Sequence, residues 1–412
     1  MTRSLGLGHR ELHLREQPSP PPLADVPFRL LVRLCRCGAD DIETELVRQP
    51  LQFDCSHSVI VPPGRHLLEI RSVATLANGP DGTPVGLGYD RRMKAIRIHE
   101  DGGPEVLRYE DAPDPVPGAG EVLVHLRAAS LNHLDLWIRK GLPSVPKPRI
   151  LGADGAGTLE NGERIVINPG LDHGDGRITV VGEHMDGTHA QLVAVPEENV
   201  YPIPDGLSFE EAAAFPLVFE TAYRMLVTKA NLQPDEWVLL WGIGSGVATA
   251  GLQIAKALGA NTIVTSSSDD KLARARELGA TATVNHATED VVEAVKGATE
   301  GEGADIVVEH VGEATWQRTL QAVRPGGRIT VCGATSGPNP PAALHRLWWK
   351  QLTVYGSTMG TKEDFEGAYE LVASGRARPI VDRVFPLAEA RAAHEYLESG
   401  QQLGKVVLAI PE

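Results

Sequence analysis

The apolar positions of this chain follow two patterns that meet near residue 217. Before it, from Met93, hydrophobic and polar residues alternate along 93–99, 106–109 and 121–127, separated by Gly102-Gly-Pro and Pro113-Asp-Pro-Val-Pro-Gly. A two-residue period bounded by glycine and proline predicts strands with one buried face, so this half reads as a β-rich unit. After it, short apolar runs at 237–241, 305–312 and 328–333 meet glycine at or just beyond their ends, and the β-branched run 261–266 joins them. Runs of that length without alternation predict strands covered on both faces, as in a parallel sheet between layers of helices.

One run gains meaning from its neighbours. Glu236-Trp-Val-Leu-Leu-Trp241 leads into Gly242, Gly244 and Gly246 and then into an alanine-rich helical pattern that stops at Gly259. Strand, glycine turn, helix is the order in which the free N–H groups of a helix start can hold a pyrophosphate, the glycines allowing a tight turn and close approach. Gly244-Ser245-Gly246-Val247-Ala248 departs from the usual G-x-G-x-x-G, with alanine at the last, helix-packing position. The next strand runs into Ser266-Ser-Ser-Asp-Asp-Lys271. A carboxylate near this strand end grips the ribose of NAD, whereas hydroxyls and a cation suit a 2′-phosphate. Ser267, Ser268 and Lys271 therefore favour NADP(H) over NAD(H). Asp269 and Asp270 pull the other way, or else they open the next helix as cap and first-turn acids.

Residues 1–92 differ from the rest, with no lysine and three of the four cysteines. Strand-like runs at 28–37, 58–61 and 66–73 would suit a small β unit, and Gln17-Pro-Ser-Pro-Pro-Pro22 and Asn78-Gly-Pro-Asp-Gly-Thr-Pro84 read as linkers. Cys35, Cys37, Cys55 and His57 offer zinc ligands, but C-x-C is not the usual structural spacing, and cysteines on one strand face also read as small core hydrophobes. Met93 reads like a natural start, so the extension is either a module of its own, a partner-binding segment, or translated chain without an independent fold.

Composition removes some classes. A chain of 412 residues with 42% hydrophobic content has room for two or three cores. A formal charge of −15 argues against a nucleic-acid or anionic-membrane surface, which needs clustered cations. No apolar run approaches a membrane span, no secretory leader is visible, and four cysteines do not form a disulfide framework. A cytoplasmic protein is expected.

From Met93 to Ile410 the motifs converge. Gly102-Gly-Pro-Glu-Val-Leu107, Ala129-Ser-Leu-Asn-His-Leu-Asp135, Leu151-Gly-Ala-Asp-Gly-Ala-Gly157, Pro204-Asp-Gly-Leu-Ser-Phe-Glu-Glu-Ala-Ala-Ala214, Arg324-Pro-Gly-Gly-Arg-Ile329 and Gly404-Lys-Val-Val-Leu408 together resemble the medium-chain dehydrogenase/reductase superfamily, in its quinone-oxidoreductase-like branch. The resemblance implies an α/β protein: a GroES-like β-rich catalytic domain (93–217 and 355–412) around a Rossmann doubly wound parallel sheet (218–354), with 1–92 as an extension. It implies a homodimer and hydride transfer from NADPH to a small carbonyl, quinone or activated alkene. Alternatives are an alcohol dehydrogenase or enoyl reductase on the same scaffold, and an NADPH-binding sensor without turnover.

The resemblance also assigns residues. Thr221 packs against the nicotinamide, or is an ordinary helix threonine. His286 stands where NADPH-using relatives place a tyrosine, and Gly312, Gly333 and Lys405 join Gly244, Ser245, Gly246 and Val247 around the cofactor. Zinc-dependent relatives have a cysteine at Asn132, a histidine at Ala153 and a cysteine near Leu217, and alanine and leucine cannot ligate a metal. The four-cysteine lobe that close relatives carry is missing between Val166-Ile-Asn-Pro-Gly-Leu171 and Gly182. No zinc is therefore expected, and His173, His184 and His189 read as solvated loop residues. Asn132 and His133 become the candidates for stabilising a developing oxyanion. Asp135 reads as structural, bonding loop N–H groups.

Overall fold

The computed structural model describes residues 92–412 throughout and, before them, the backbone of two strands, Leu30–Arg36 and Arg65–Ser72. These two pair antiparallel, Leu30 opposite Ser72 and Arg36 opposite Arg65. The expected strand at 58–61 and the candidate ligands Cys37, Cys55 and His57 lie outside the described residues, as does the side chain of Cys35, whose backbone belongs to the first strand. Met1–Tyr89 and Asp90–Glu412 are separate units, and every catalytic and cofactor candidate belongs to the second.

Its first half is β-rich, as the alternation predicts. Arg92–Ile98 lies between Arg108–Pro113 and Arg149–Ile150 in a three-stranded sheet. The strand expected at 106–109 begins only at Arg108, because Pro104–Val106 forms a 3₁₀ turn. Proline at the first position of that turn presets φ and has no N–H to give a ladder. A seven-stranded sheet is built around Glu121–Ser130. One neighbour is Asp154–Thr158, followed outward by Arg164–Ile167 and Val200–Pro202. On the other side lies Lys405–Ala409, followed by Val381–Pro386, and Leu192–Pro196 pairs with the start of the long strand. The strand Lys405–Ala409 thus sits inside this sheet, between the long strand and the edge strand Val381–Pro386, with Val407 opposite Ser130.

The second half holds six parallel strands in the spatial order third, second, first, fourth, fifth, sixth: Ala282–Asn285, Asn261–Ser266, Trp237–Leu240, Ala304–Glu309, Val323–Val331 and Thr353–Gly356. The sixth strand runs to Gly356, so a domain boundary between 354 and 355 falls inside it. Consecutive residues serve opposite cores. Leu240, Val264 and Ile306 pack with the helices Gly246–Ala257 and Pro216–Tyr223, while Leu239, Ile263, Val307 and Ile329 pack with Val291–Ala298 and Trp316–Ala322. That is why the first strand shows no alternation. The order reverses between the first and fourth strands, and the crevice beyond the carboxyl ends at such a reversal is where doubly wound sheets bind ligands.

Candidate functional site

At the end of the first strand the chain turns through Gly242, whose φ of +58° favours glycine. Ser245 caps the helix Gly246–Ala257, its Oγ accepting from the Ala248 N–H at 3.1 Å. The Gly246 and Val247 amides occupy the first two helical positions and have no acceptor within the helix, which suits an anion. A Cβ on Gly246 would stand 2.8 Å from Val218 Cγ1 and 3.1 Å from Lys405 Cδ, so this glycine marks the close approach of loop, hinge helix and C-terminal strand.

His310, just beyond the fourth strand, braces the loop. Its Nε2 lies 2.8 Å from the Trp241 carbonyl, which can only accept, so that nitrogen carries the proton; Ser245 Oγ is 3.3 Å from the same atom. Glu309 is fully buried and accepts from the Val311 and Gly312 N–H groups and the Thr315 hydroxyl, at 2.9, 3.0 and 2.8 Å. Its second oxygen takes the Thr319 hydroxyl at 2.6 Å, and Thr319 accepts from Trp241 Nε1 at 2.8 Å. Gly312 is therefore held at the crevice by a carboxylate that the sequence did not single out. Gly333 lies on the same rim, where an added Cβ would be 3.5 Å from the Trp137 ring.

The serine-lysine segment is arranged differently from its linear reading. Ser267 is exposed, whereas the Ser268 Oγ caps the helix Asp269–Glu277 by accepting from the Lys271 N–H at 3.4 Å. Lys271 sits one turn into that helix and its Nζ donates to the Gly400 carbonyl at 2.7 Å, beside Gly244. Asp269 is engaged by Asn285 Nδ2 at 2.8 Å, in line with its reading as a helix-opening acid. His286 is tied by its N–H to the Ser266 carbonyl, beyond the third strand, and burial, with Arg318 nearby, lowers its pKa.

The other wall is organised by a buried ion pair. Asp154 Oδ2 receives Lys405 Nζ, Asn132 Nδ2 and Ser130 Oγ, each at 2.9 Å, and Oδ1 receives the Leu217 N–H at 2.8 Å. Lys405 also donates to Asn132 Oδ1 at 2.5 Å. Lys405 and Asp154 are 4% and 0% exposed, so this is an interior charge pair with its hydrogen bonds made. Asn132 is thereby fixed by both partners, and Lys405 reaches the glycine loop through its stem alone. Asp135 accepts from the Asn132 and Gly152 N–H groups at 2.7 and 2.9 Å, the role expected of it. His133 shares this helix, and burial, with His310, Lys405 and Lys140 nearby, brings its pKa down to about 4. Ala153 packs with Val180, Met359, Leu134, Ile178 and Leu217. The set Asn132, Ala153 and Leu217 therefore does not fit zinc. Among the described residues no group of three histidine, cysteine or acid side chains could hold a metal.

Thr221 is nearly buried on the hinge helix, next to the fully buried Glu220. Beyond it, a cavity of about 480 Å³ is lined by Arg224, by Gly176 and Ile178 of the hairpin that pairs Gly170–Asp172 with Ile178–Val180, by Cys332 just past the fifth strand, and by Ser357 and Thr358 past the sixth. Burial pushes the Cys332 thiol up to about 12, which leaves it a packing residue.

His189 corrects an expectation. It is fully buried, its ring 6.1 Å from that of His394, which in turn contacts the buried Arg139 at 3.2 Å. His133, His189, His310 and His394 all have pKa values lowered mainly by burial. In the unfolded chain they titrate near 6.5. A folded value below the unfolded one means that the unfolded state takes up more protons on acidification, so their contribution is whole above 6.5 and is lost as pH falls through it. The thermal midpoint should be level above that pH and fall steadily below it; a midpoint that rises on mild acidification would contradict the assignment.

Residues 246–374 match a protein-family model described as zinc-binding dehydrogenase, and residues 118–205 one described as the alcohol dehydrogenase GroES-like domain. A zinc-type alcohol dehydrogenase-like protein of Schizosaccharomyces pombe is 35% identical over 316 residues, 71% of this chain and 91% of that protein. The quinone oxidoreductase of Pseudomonas aeruginosa is 33% identical over 329 residues, 76% of this chain and 99% of the other. Among solved structures, an NAD-dependent alcohol dehydrogenase superposes with a TM-score of 0.75 at 42% identity, covering 77% of this chain and 100% of its own.

Proposed function

The chain belongs to the medium-chain dehydrogenase/reductase superfamily, in its quinone-oxidoreductase-like branch, and on that premise we propose that this oxidoreductase is zinc-independent and uses NADPH to reduce a quinone or another small activated carbonyl or alkene. The observation that carries the zinc-free reading is the chemistry at Asn132, Ala153 and Leu217: an amide tied to an ion pair and two side chains without donors. NADPH is supported by the exposed Ser267 past the second strand and by Asp269, whose Oδ1 is already engaged by Asn285 at the start of its helix.

When bound, the reduced nicotinamide supplies the hydride. The protein's part is placement: the helix start at Gly246 holds charge, and Glu309 and His310 keep the loops beneath it in one arrangement. Leu134, Ile178, Leu217 and Met359 give the acceptor an apolar wall to pack against on one side, leaving the oxyanion side to His133 and water. His133, neutral at ordinary pH, offers an N–H to a developing oxyanion without delivering a full proton, which water can supply.

The test is oxidation of NADPH and NADH by a simple ortho- or para-quinone, on protein treated with a chelator. Turnover with NADPH that survives the chelator is the expected result. Activity lost to the chelator and restored by zinc overturns the metal-free reading, and a clear preference for NADH overturns the reading of the serines.

A further inference from the structure

The hinge helix Pro216–Tyr223 widens at Arg224 into a π turn that runs to Lys229, with the Ala230 N–H reaching back five residues to the Met225 carbonyl at 3.1 Å. Such turns are rare and recur at functional sites. Here the turn accompanies a cation on a cavity wall. Arg224 Nε and Nη1 are buried and make no hydrogen bond among the described residues. Among the same residues, Asp364 is the one carboxylate within ion-pair range, 3.8 Å from Nη1. Its oxygens already have donors: Oδ1 takes the Thr228 hydroxyl, and Oδ2 takes the Thr361 N–H at 2.9 Å and hydroxyl at 3.1 Å. Glu220, one turn earlier, is fully buried with both oxygens also unpartnered among the described residues and makes no ion pair with Arg224 there; burial, with Asp364 and Asp154 nearby, pushes its carboxyl well above the usual range. A second orphan lies on the same cavity: Ser357, 9% exposed, has a buried hydroxyl without a partner among the described residues.

A guanidinium presents five donors and no acceptor, and buried donors left unpaired are costly. Two such groups on one cavity define the ligand that would satisfy both, a planar acid that accepts from the fork of Arg224 and from the Ser357 hydroxyl. The cavity opens past the carboxyl ends of the fifth and sixth strands, the half of a doubly wound sheet that takes the second nucleotide of a dinucleotide. At about 480 Å³ it suits a small molecule. We propose that Arg224, with Ser357, anchors a carboxylate carried by the hydride acceptor, so that the physiological substrate is a small acidic carbonyl, quinone or alkene. This rests on the reductase reading for the word acceptor, but not for the anion site.

The test compares benzoate with benzamide, its uncharged isostere, as ligands of the full chain with and without NADP. Calorimetry gives affinities whether or not any quinone turns over, which separates this proposal from the reductase reading. Competition against 1,4-benzoquinone then places the site at the acceptor. Benzoate is expected to bind about 10- to 100-fold more tightly than benzamide, the range of a charge-assisted hydrogen bond. That ratio should collapse toward one in Arg224→Gln, persist in part in Arg224→Lys, and shrink in Ser357→Ala, which leaves the guanidinium and the hinge helix intact. Equal affinities in the native protein overturn the proposal, as does a Gln variant that keeps the full ratio. A loss of NADP affinity with the ratio unchanged also overturns it, by assigning Arg224 to the cofactor.

Discussion

Replacing Asp154 by alanine is expected to lower the stability of the catalytic unit by about 3–5 kcal/mol, read as a shift of the first urea-unfolding transition followed by tryptophan fluorescence. Four donors converge on this one carboxylate: the Lys405 ammonium, the Asn132 amide, the Ser130 hydroxyl and the Leu217 N–H. Its removal leaves an ammonium that is 4% exposed with only the Asn132 carbonyl oxygen as a partner. Lys405→Met should cost less, because Asp154 keeps three of its donors. The double variant should fall well short of the sum, since the second change removes a charge that the first has already stranded. Strict additivity would mean that the pair does not interact as its geometry requires.

Gly246→Val should weaken cofactor binding by about two orders of magnitude or more, measured as the dissociation constant for NADPH by fluorescence titration. A first side-chain carbon at this position would stand 2.8 Å from Val218 Cγ1, and neither that branched residue nor the buried Lys405 stem can step aside freely. The helix start would have to move, and with it the Gly246 and Val247 amides, which have no acceptor within the helix and would hold the cofactor's charge. Losing two charge-assisted hydrogen bonds at roughly 1.5–3 kcal/mol each accounts for the magnitude. An unchanged dissociation constant would remove the glycine loop from the binding site. Even Gly246→Ala should show part of the effect.

Much of this architecture is legible locally. Alternation found the strands of the catalytic sheet because one of their faces is covered, and the unbroken run 237–241 found the first parallel strand because both of its faces are. Asp135 was readable because its partners lie in the loops around it. What stayed hidden depends on pairings far apart in sequence. Asp154 sits in a run of small residues that gives no hint of the ammonium coming from Lys405. Lys271 has the spacing of a phosphate ligand, yet its helix turns it toward Gly400. His189 has the local sequence of a loop residue, and only the packing of His394 and Asp135 around it makes it interior. Arg224 looks like any helix arginine until Asp364, the carboxylate within ion-pair range of it, is found to have other donors.

The interior place of the strand Lys405–Ala409 sets a schedule for the growing chain on the ribosome. Asn132 and Lys405 meet across 273 positions. At roughly 5–20 residues per second that separation is about 15–55 seconds of synthesis. For that interval the end of the long strand, Ala128–Ser130, lacks one of its two neighbours. The parallel sheet, whose strands all lie within one continuous stretch, can close while the catalytic sheet waits. Loss of Lys405–Ala409 would therefore part Glu121–Ser130 from Val381–Pro386 and open that sheet from within.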